Sequence, residues 1–208
     1  MLLAGAFASS APCAAPEAAV DAGWILQKLA RPAPTRTDFV EFRGSKLLKQ
    51  PLRVSGEYAR PDTDTLVREV RAPYAETTTI RAGEATIARA GKSPRRFSLS
   101  RVPELAGLQA SFGAMLSGDR AMLEKFYRIS AAGTRQRWTL TLLPKDAQLA
   151  TKVRDIVLYG RGAELRCIET RAAKGGEVQR TLLAGAARDS SGVVAADALT
   201  ALCRGGVQ

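Results

Sequence analysis

Turn-forming residues divide the segment from Phe39 to Gly83 at short intervals, at Pro51, Gly56, Arg60-Pro61, Pro73 and Ala82-Gly83. Between these breaks Val54, Gly56 and Tyr58 alternate with Ser55 and Glu57, and residues 66–70 and 76–81 continue in the same manner. A side-chain period of two, interrupted this often, admits half-buried strands and excludes long helices. The first strand opens on Phe39, Val40 and Phe42, and residues 84–89 return across Ala82-Gly83. Strands adjacent in sequence and joined by short loops pair antiparallel, and such a sheet can face water on one side.

The pattern then changes. Leu105, Leu108, Phe112, Met115 and Leu116 form an apolar stripe at helical spacing between Pro103 and Gly118, and Met122, Leu123 and Phe126 suggest a second helical stub. Strands resume at residues 127–131 and 137–142, where Trp138, Leu140 and Leu142 share one face, and at 154–159, 164–170 and 177–183, with turns at 160–162 and 174–176. Trp24, Ile25, Leu26 and Leu29 predict a short helix stopped before Pro32, and residues 195–203 predict a terminal one. The expectation is a mainly β chain with helices (α+β), roughly nine or ten antiparallel strands with a helical insert midway, in one domain.

Ahead of this domain, residues 2–8 are apolar and small and are followed by Ala11-Pro12-Cys13-Ala14-Ala15. That reads as a secretory signal over residues 1–22, its apolar run at 2–8 too short to cross a bilayer, with residues 23–208 as the exported domain. Cleavage could follow Cys13, Ala15 or Ala22; Cys13 as a lipid-attachment cysteine fits poorly behind Pro12. Export leaves Cys167 and Cys203, either a disulfide in an oxidising compartment or two small buried residues.

The formal net charge of +11 raises nucleic acid as a partner. The basic residues are scattered, however, Arg95-Arg96 being the adjacent pair after the leader, and no aromatic face interleaves with them as single-strand binding needs. No nucleic-acid partner is expected. The arginines read as solvated strand residues, or as a source of attraction to anionic lipid or an acidic partner.

The chain contains no histidine, which removes the usual general base, the Ser-His-Asp arrangement and most zinc sites. No glycine-rich phosphate loop follows a strand. Glu41, Glu57, Glu69 and Glu76 could supply an acid pair, but they read as strand carboxylates facing water and paired with arginines of other strands. No catalytic residue, metal site or cofactor is expected. What remains is apolar surface: the helix at 103–117 either completes a dry core over the sheet or separates from it to admit an acyl chain, which contributes about 0.8 kcal/mol per buried methylene.

The order of these parts, together with Phe39, Phe42, Gly56-Glu57-Tyr58, Arg60-Pro61, Leu66, Pro73 and Gly83, resembles the periplasmic lipoprotein carriers of the LolA family, as a divergent LolA-like branch. The resemblance implies an open antiparallel half-barrel with a helical lid over its concave face. Leu105, Leu108, Phe112 and Met115 would form the lid, and Tyr58, Leu66, Trp138, Leu140 and Leu142 would line the sheet. Arg60 matches the family arginine that latches the lid, a role suited to a guanidinium with five donors. The function implied is a monomeric periplasmic carrier that takes a lipid or acylated molecule from an inner-membrane transporter towards an outer-membrane acceptor. Lipoprotein and non-protein lipid, polyenes included, remain alternative cargoes. A lipid-sensing regulatory domain on the same fold is the alternative function.

Overall fold

A computed structural model of the protein describes residues 19–43, 51–99, 115, 117–175, 178–193 and 195–205. Within them the chain builds one antiparallel sheet of eleven strands: β1 (Thr35–Arg43), β2 (Leu52–Arg60), β3 (Thr65–Ala72), β4 (Glu76–Arg81), β5 (Glu84–Arg89), β6 (Lys92–Ser98), β7 (Tyr127–Gly133), β8 (Trp138–Pro144), β9 (Val153–Arg161), β10 (Glu164–Ala172) and β11 (Gln179–Leu183). Five helices accompany it among the described residues: α1 (Ala22–Leu29), α2 (Arg120–Phe126), α3 (Ala147–Ala150), α4 (Ala184–Asp189) and α5 (Ala196–Cys203). The strand order is β6-β5-β4-β3-β2-β1-β11-β10-β9-β8-β7, and the sheet remains open, not closed into a barrel. Two meanders of sequence neighbours thus meet at a single non-local seam, where Phe39 of β1 faces Leu183 of β11 and Val40 faces Leu182.

The eleven strands exceed the nine or ten expected, and β6 is the addition. Its sequence, Lys-Ser-Pro-Arg-Arg-Phe-Ser, is polar because it is an exposed edge, where proline and cations discourage further pairing. Two short helices, α3 and α4, were also not anticipated. The expected turn at 160–162 begins later than expected, because Gly160 is a strand residue and Gly162-Ala163 makes the turn.

Alternation along the strands sorts the side chains onto two faces. One face gathers Phe39, Val54 and Val70 with Leu183, then continues through Leu165 and Ile168 to Trp138, Leu140, Leu142, Ile156 and Leu158. Helix α1 lies on this face and buries Ile25, Leu26 and Leu29 against it, together with Leu123 of α2 and Met115. The helix starts where the Asp21 carboxylate accepts from the Trp24 amide at 3.0 Å, and it ends at Leu29, three residues before Pro32. The opposite face carries Val40, Phe42, Val157, Tyr159 and Leu182 under α4 and α5. With helices on both sides, the centre of β9 is buried at six consecutive residues, Asp155–Gly160, and loses its alternation.

Two glycines permit the closest approaches within the sheet. A Cβ on Gly56 would sit 1.8 Å from the Glu69 carbonyl oxygen, beside the bulge at Ser55/Gly56, so the backbones of β2 and β3 meet there only because the side chain is a hydrogen. Gly160 faces Trp138 across β8 and β9, and a Cβ would fall 2.0 Å from the indole ring. The ring occupies that space, and its Nε1 donates to the Gly162 carbonyl at 2.9 Å.

The strand carboxylates depart from expectation. Glu41 and Glu76 are buried instead of facing water, although both have arginine partners: Arg43 and Arg68 for Glu41, and Arg89 for Glu76. Register explains it, because Glu41 shares the covered face with Phe39 and is brought within reach of Arg68 two strands away. Cys167 and Cys203 form a disulfide that joins β10 to α5.

Candidate functional site

A cavity of about 160 Å³ opens where the end of α1 passes over the seam of the sheet. Its walls come from four directions. Leu29 descends from α1 and Arg31 from the connector after it, Thr35, Thr37, Tyr58, Ala59 and Leu66 rise from β1, β2 and β3, Ala163, Glu164, Leu165 and Leu183 close the far side, and Met115 covers it. The segment bearing Met115 is fixed against α1 at Gly118, where a Cβ would lie 3.1 Å from the Ala30 methyl and 3.3 Å from the Leu26 carbonyl oxygen.

The aromatic part of the wall is stacked. The Tyr58 ring lies 4.6 Å from that of Phe39, and the Arg68 guanidinium sits 4.8 Å from the Phe39 centroid. Burial pushes the Tyr58 hydroxyl above its ordinary range in spite of the Arg68 charge nearby, so it stays a neutral phenol. Beyond it the covered face turns ionic, at Glu41 between Arg43 and Arg68. The cavity wall itself is mostly apolar, and this ion cluster lies outside it, on the far side of Tyr58.

Arg60 stands at the rim. Its Nη1 donates to the Arg31 carbonyl at 3.0 Å, and Arg31 Nη2 in turn donates to the Ala163 carbonyl at 3.2 Å. Two guanidiniums thus connect the end of β2, the connector after α1 and the β9–β10 turn across the seam. Each bond is side chain to carbonyl, so it can open without stranding a buried charge.

Among the residues singled out from sequence, Tyr58, Arg60, Leu66 and Met115 come together at this cavity. Trp138, Leu140 and Leu142 share the same face of the sheet but lie beneath α1, almost wholly inaccessible, and do not line the cavity. Leu105, Leu108 and Phe112 fall outside the described residues. Arg31, Thr35, Thr37 and the Ala163–Leu165 corner escaped notice. Arg31 had a signal of its own, a cation directly before Pro32 in the connector after α1; the others had none, because only the β1–β11 pairing brings them near.

The site offers little to catalysis or metal binding. Its one carboxylate, Glu164, accepts from the Gly185 amide at 3.0 Å and faces Arg166 at 3.5 Å. Among the described residues no group of three or more potential ligands could hold a metal ion. Nor is any helix among them long and apolar enough to cross a membrane.

A family model described as "Outer membrane lipoprotein carrier protein LolA-like" matches residues 14–206. No curated protein sequence matches. Solved structures similar to the chain include the LolA superfamily protein NE2245 from Nitrosomonas europaea, 12% identical, with 79% of this chain and 92% of that one covered and a TM-score of 0.41. LprF from Mycobacterium bovis is similar at 13% identity, covering 79% of this chain and 91% of that one, with a TM-score of 0.35.

Proposed function

Because the chain belongs to the family of LolA-like outer membrane lipoprotein carrier proteins, we propose that it carries a lipid or acylated molecule through the periplasm by enclosing acyl chain in the cavity over the seam. The observation that carries this reading is the cavity itself, an apolar space between a sheet and a helical cover, closed by hydrogen bonds that can open. Burial drives uptake at about 0.8 kcal/mol per methylene, and no covalent step is needed. A donor transporter in the inner membrane and an acceptor at the outer membrane complete the route. The Cys167–Cys203 bridge suits an oxidising compartment. A leader cleaved upstream of Ala19 would leave intact the hydrogen bond that the Val20 amide donates to the Gly133 carbonyl at 3.2 Å and the Asp21 cap of α1.

Protein purified from its native host is expected to release a bound acylated molecule on denaturing extraction, detected by mass spectrometry. Repeated recovery of lipid-free protein that also takes up no fluorescent fatty acid would overturn the carrier reading.

Arg60 acts in this reading as the latch. Arg60→Leu removes the donor to the Arg31 carbonyl while leaving β2 paired on both sides. The expected result is an unchanged circular dichroism spectrum with cargo released at least about tenfold faster, the kinetic equivalent of losing a hydrogen bond from a charged donor. Unchanged release would reduce Arg60-Pro61 to an ordinary strand end.

A further inference from the structure

We infer that the cargo is a single-chain amphiphile with an anionic headgroup, whose chain end enters the cavity and whose headgroup is held at the rim by Arg31. The inference rests on the carrier reading and goes further by assigning the cargo's charge and the residue that reads it.

Three observations converge on it. The first is size. At about 160 Å³ the cavity is smaller than the roughly 300–1,000 Å³ of sites that enclose a drug-sized ligand, so it accommodates the end of one chain and leaves a headgroup outside. The second is charge at the place where that headgroup would rest. The charged rim residues are Arg31, Arg60 and Glu164. Glu164 is already engaged by the Gly185 amide and Arg166 and makes no ion pair with Arg31 among the described residues. Arg31 has one side-chain hydrogen bond among the described residues, to a neutral carbonyl, and takes part in no ion pair among them. The third is geometry. A guanidinium with one donor directed to Ala163 keeps its other N–H groups for a second acceptor, and Arg31 is exposed, so they can meet a headgroup without prior desolvation.

Carboxylate and phosphate headgroups share this chemistry. Both set a negative charge against the guanidinium, so that donor and acceptor are ionised, whereas an ester or alcohol headgroup accepts weaker bonds in which the guanidinium alone is charged.

The test compares three probes on the full exported chain at low salt: cis-parinaric acid, its methyl ester, and dodecyl phosphate as competitor. The acid is expected to bind about tenfold tighter than the ester, the preference shrinking as salt rises. In Arg31→Gln the preference should fall to about twofold or less, and Arg31→Lys should retain most of it, separating charge from local structure. Competition by dodecyl phosphate as strong as that by unlabelled fatty acid supports an anion site indifferent to headgroup type; its failure to compete narrows the site to carboxylates. Equal binding of acid and ester by the unaltered protein overturns this inference while leaving the carrier reading standing. A preference that survives unchanged in Arg31→Gln overturns the assignment to Arg31. Binding of neither acid nor ester overturns the carrier reading itself.

Discussion

Replacing Cys203 with serine, or reducing the bridge in the native protein, is expected to lower stability by about 3–4 kcal/mol while leaving acyl-chain uptake unchanged. The magnitude follows from loop closure: Cys167 and Cys203 are 36 residues apart, and releasing a loop of that length restores chain entropy to the unfolded state. The location explains the second half of the expectation. Cys167 pairs with Leu182 on the face of the sheet covered by α4 and α5, opposite the cavity, and Leu199 and Cys203 are the buried side chains of α5. Loss of the bridge therefore frees α5 without disturbing Tyr58, Arg60 or Met115. Urea unfolding of oxidised and reduced protein measures the difference. A change below about 1 kcal/mol would show that α5 is held by its apolar contacts alone.

Glu169→Ala is expected to cost about 3 kcal/mol. The Glu169 carboxylate is fully buried on that same face, where it accepts from Arg180 at 2.8 Å, from Arg171 at 2.9 Å and from the Tyr159 hydroxyl at 3.1 Å. Removing one member of a buried ionic cluster strands the others, at about 3–5 kcal/mol. The lower end applies here because Arg171 and Arg180 retain some contact with water. Burial, the largest single influence, pushes the Glu169 carboxyl up; the hydrogen bonds from Arg171 and Arg180, the Arg180 charge and the Tyr159 hydroxyl together outweigh it and hold the group below its ordinary value of 4.5. The sign of the pH dependence follows. A carboxyl whose folded pKa lies below its unfolded value contributes stability that is fully present above about pH 4.5 and is lost as pH falls through the folded value. Urea midpoints measured from pH 7 to pH 3 should therefore fall less steeply in Glu169→Gln than in the unaltered protein. Parallel curves would remove Glu169 from the acid response.

Much of the sheet was legible because its strands face a covered side and an exposed one. In β8, Trp138, Leu140 and Leu142 alternate with Thr139, Thr141 and Leu143, and burial follows that alternation residue by residue. Strand β6 was not legible, since an exposed edge has no apolar side to display and reads as a loop. The burial of Glu41 and Glu169 was hidden for a different reason. A strand carboxylate looks the same from sequence whether it meets water or two arginines, and only register decides which. The candidate site divides along similar lines. Tyr58, Arg60 and Leu66 lie in one local meander whose pattern could be read directly, whereas Leu165 and Leu183 reach the cavity from the other half of the chain. Whether the helix expected at 103–117 completes a dry core or forms an openable cover falls on residues that, apart from Met115 and Ser117, lie outside those described. Under α1 the covered face of the sheet is closely packed around Trp138 and Leu140, and at the end of α1 it holds a cavity.

Every strand pair in the sheet joins sequence neighbours except β1 with β11. The two meanders can each form from local contacts, but closing this one pairing carries the loop entropy of most of the chain. The cavity takes its walls from both sides of that pairing. In the proposed carrier role, ligand binding is therefore expected to need the completed molecule: neither meander alone contains the cavity, and a folding intermediate that lacks the pairing is expected to hold no cargo.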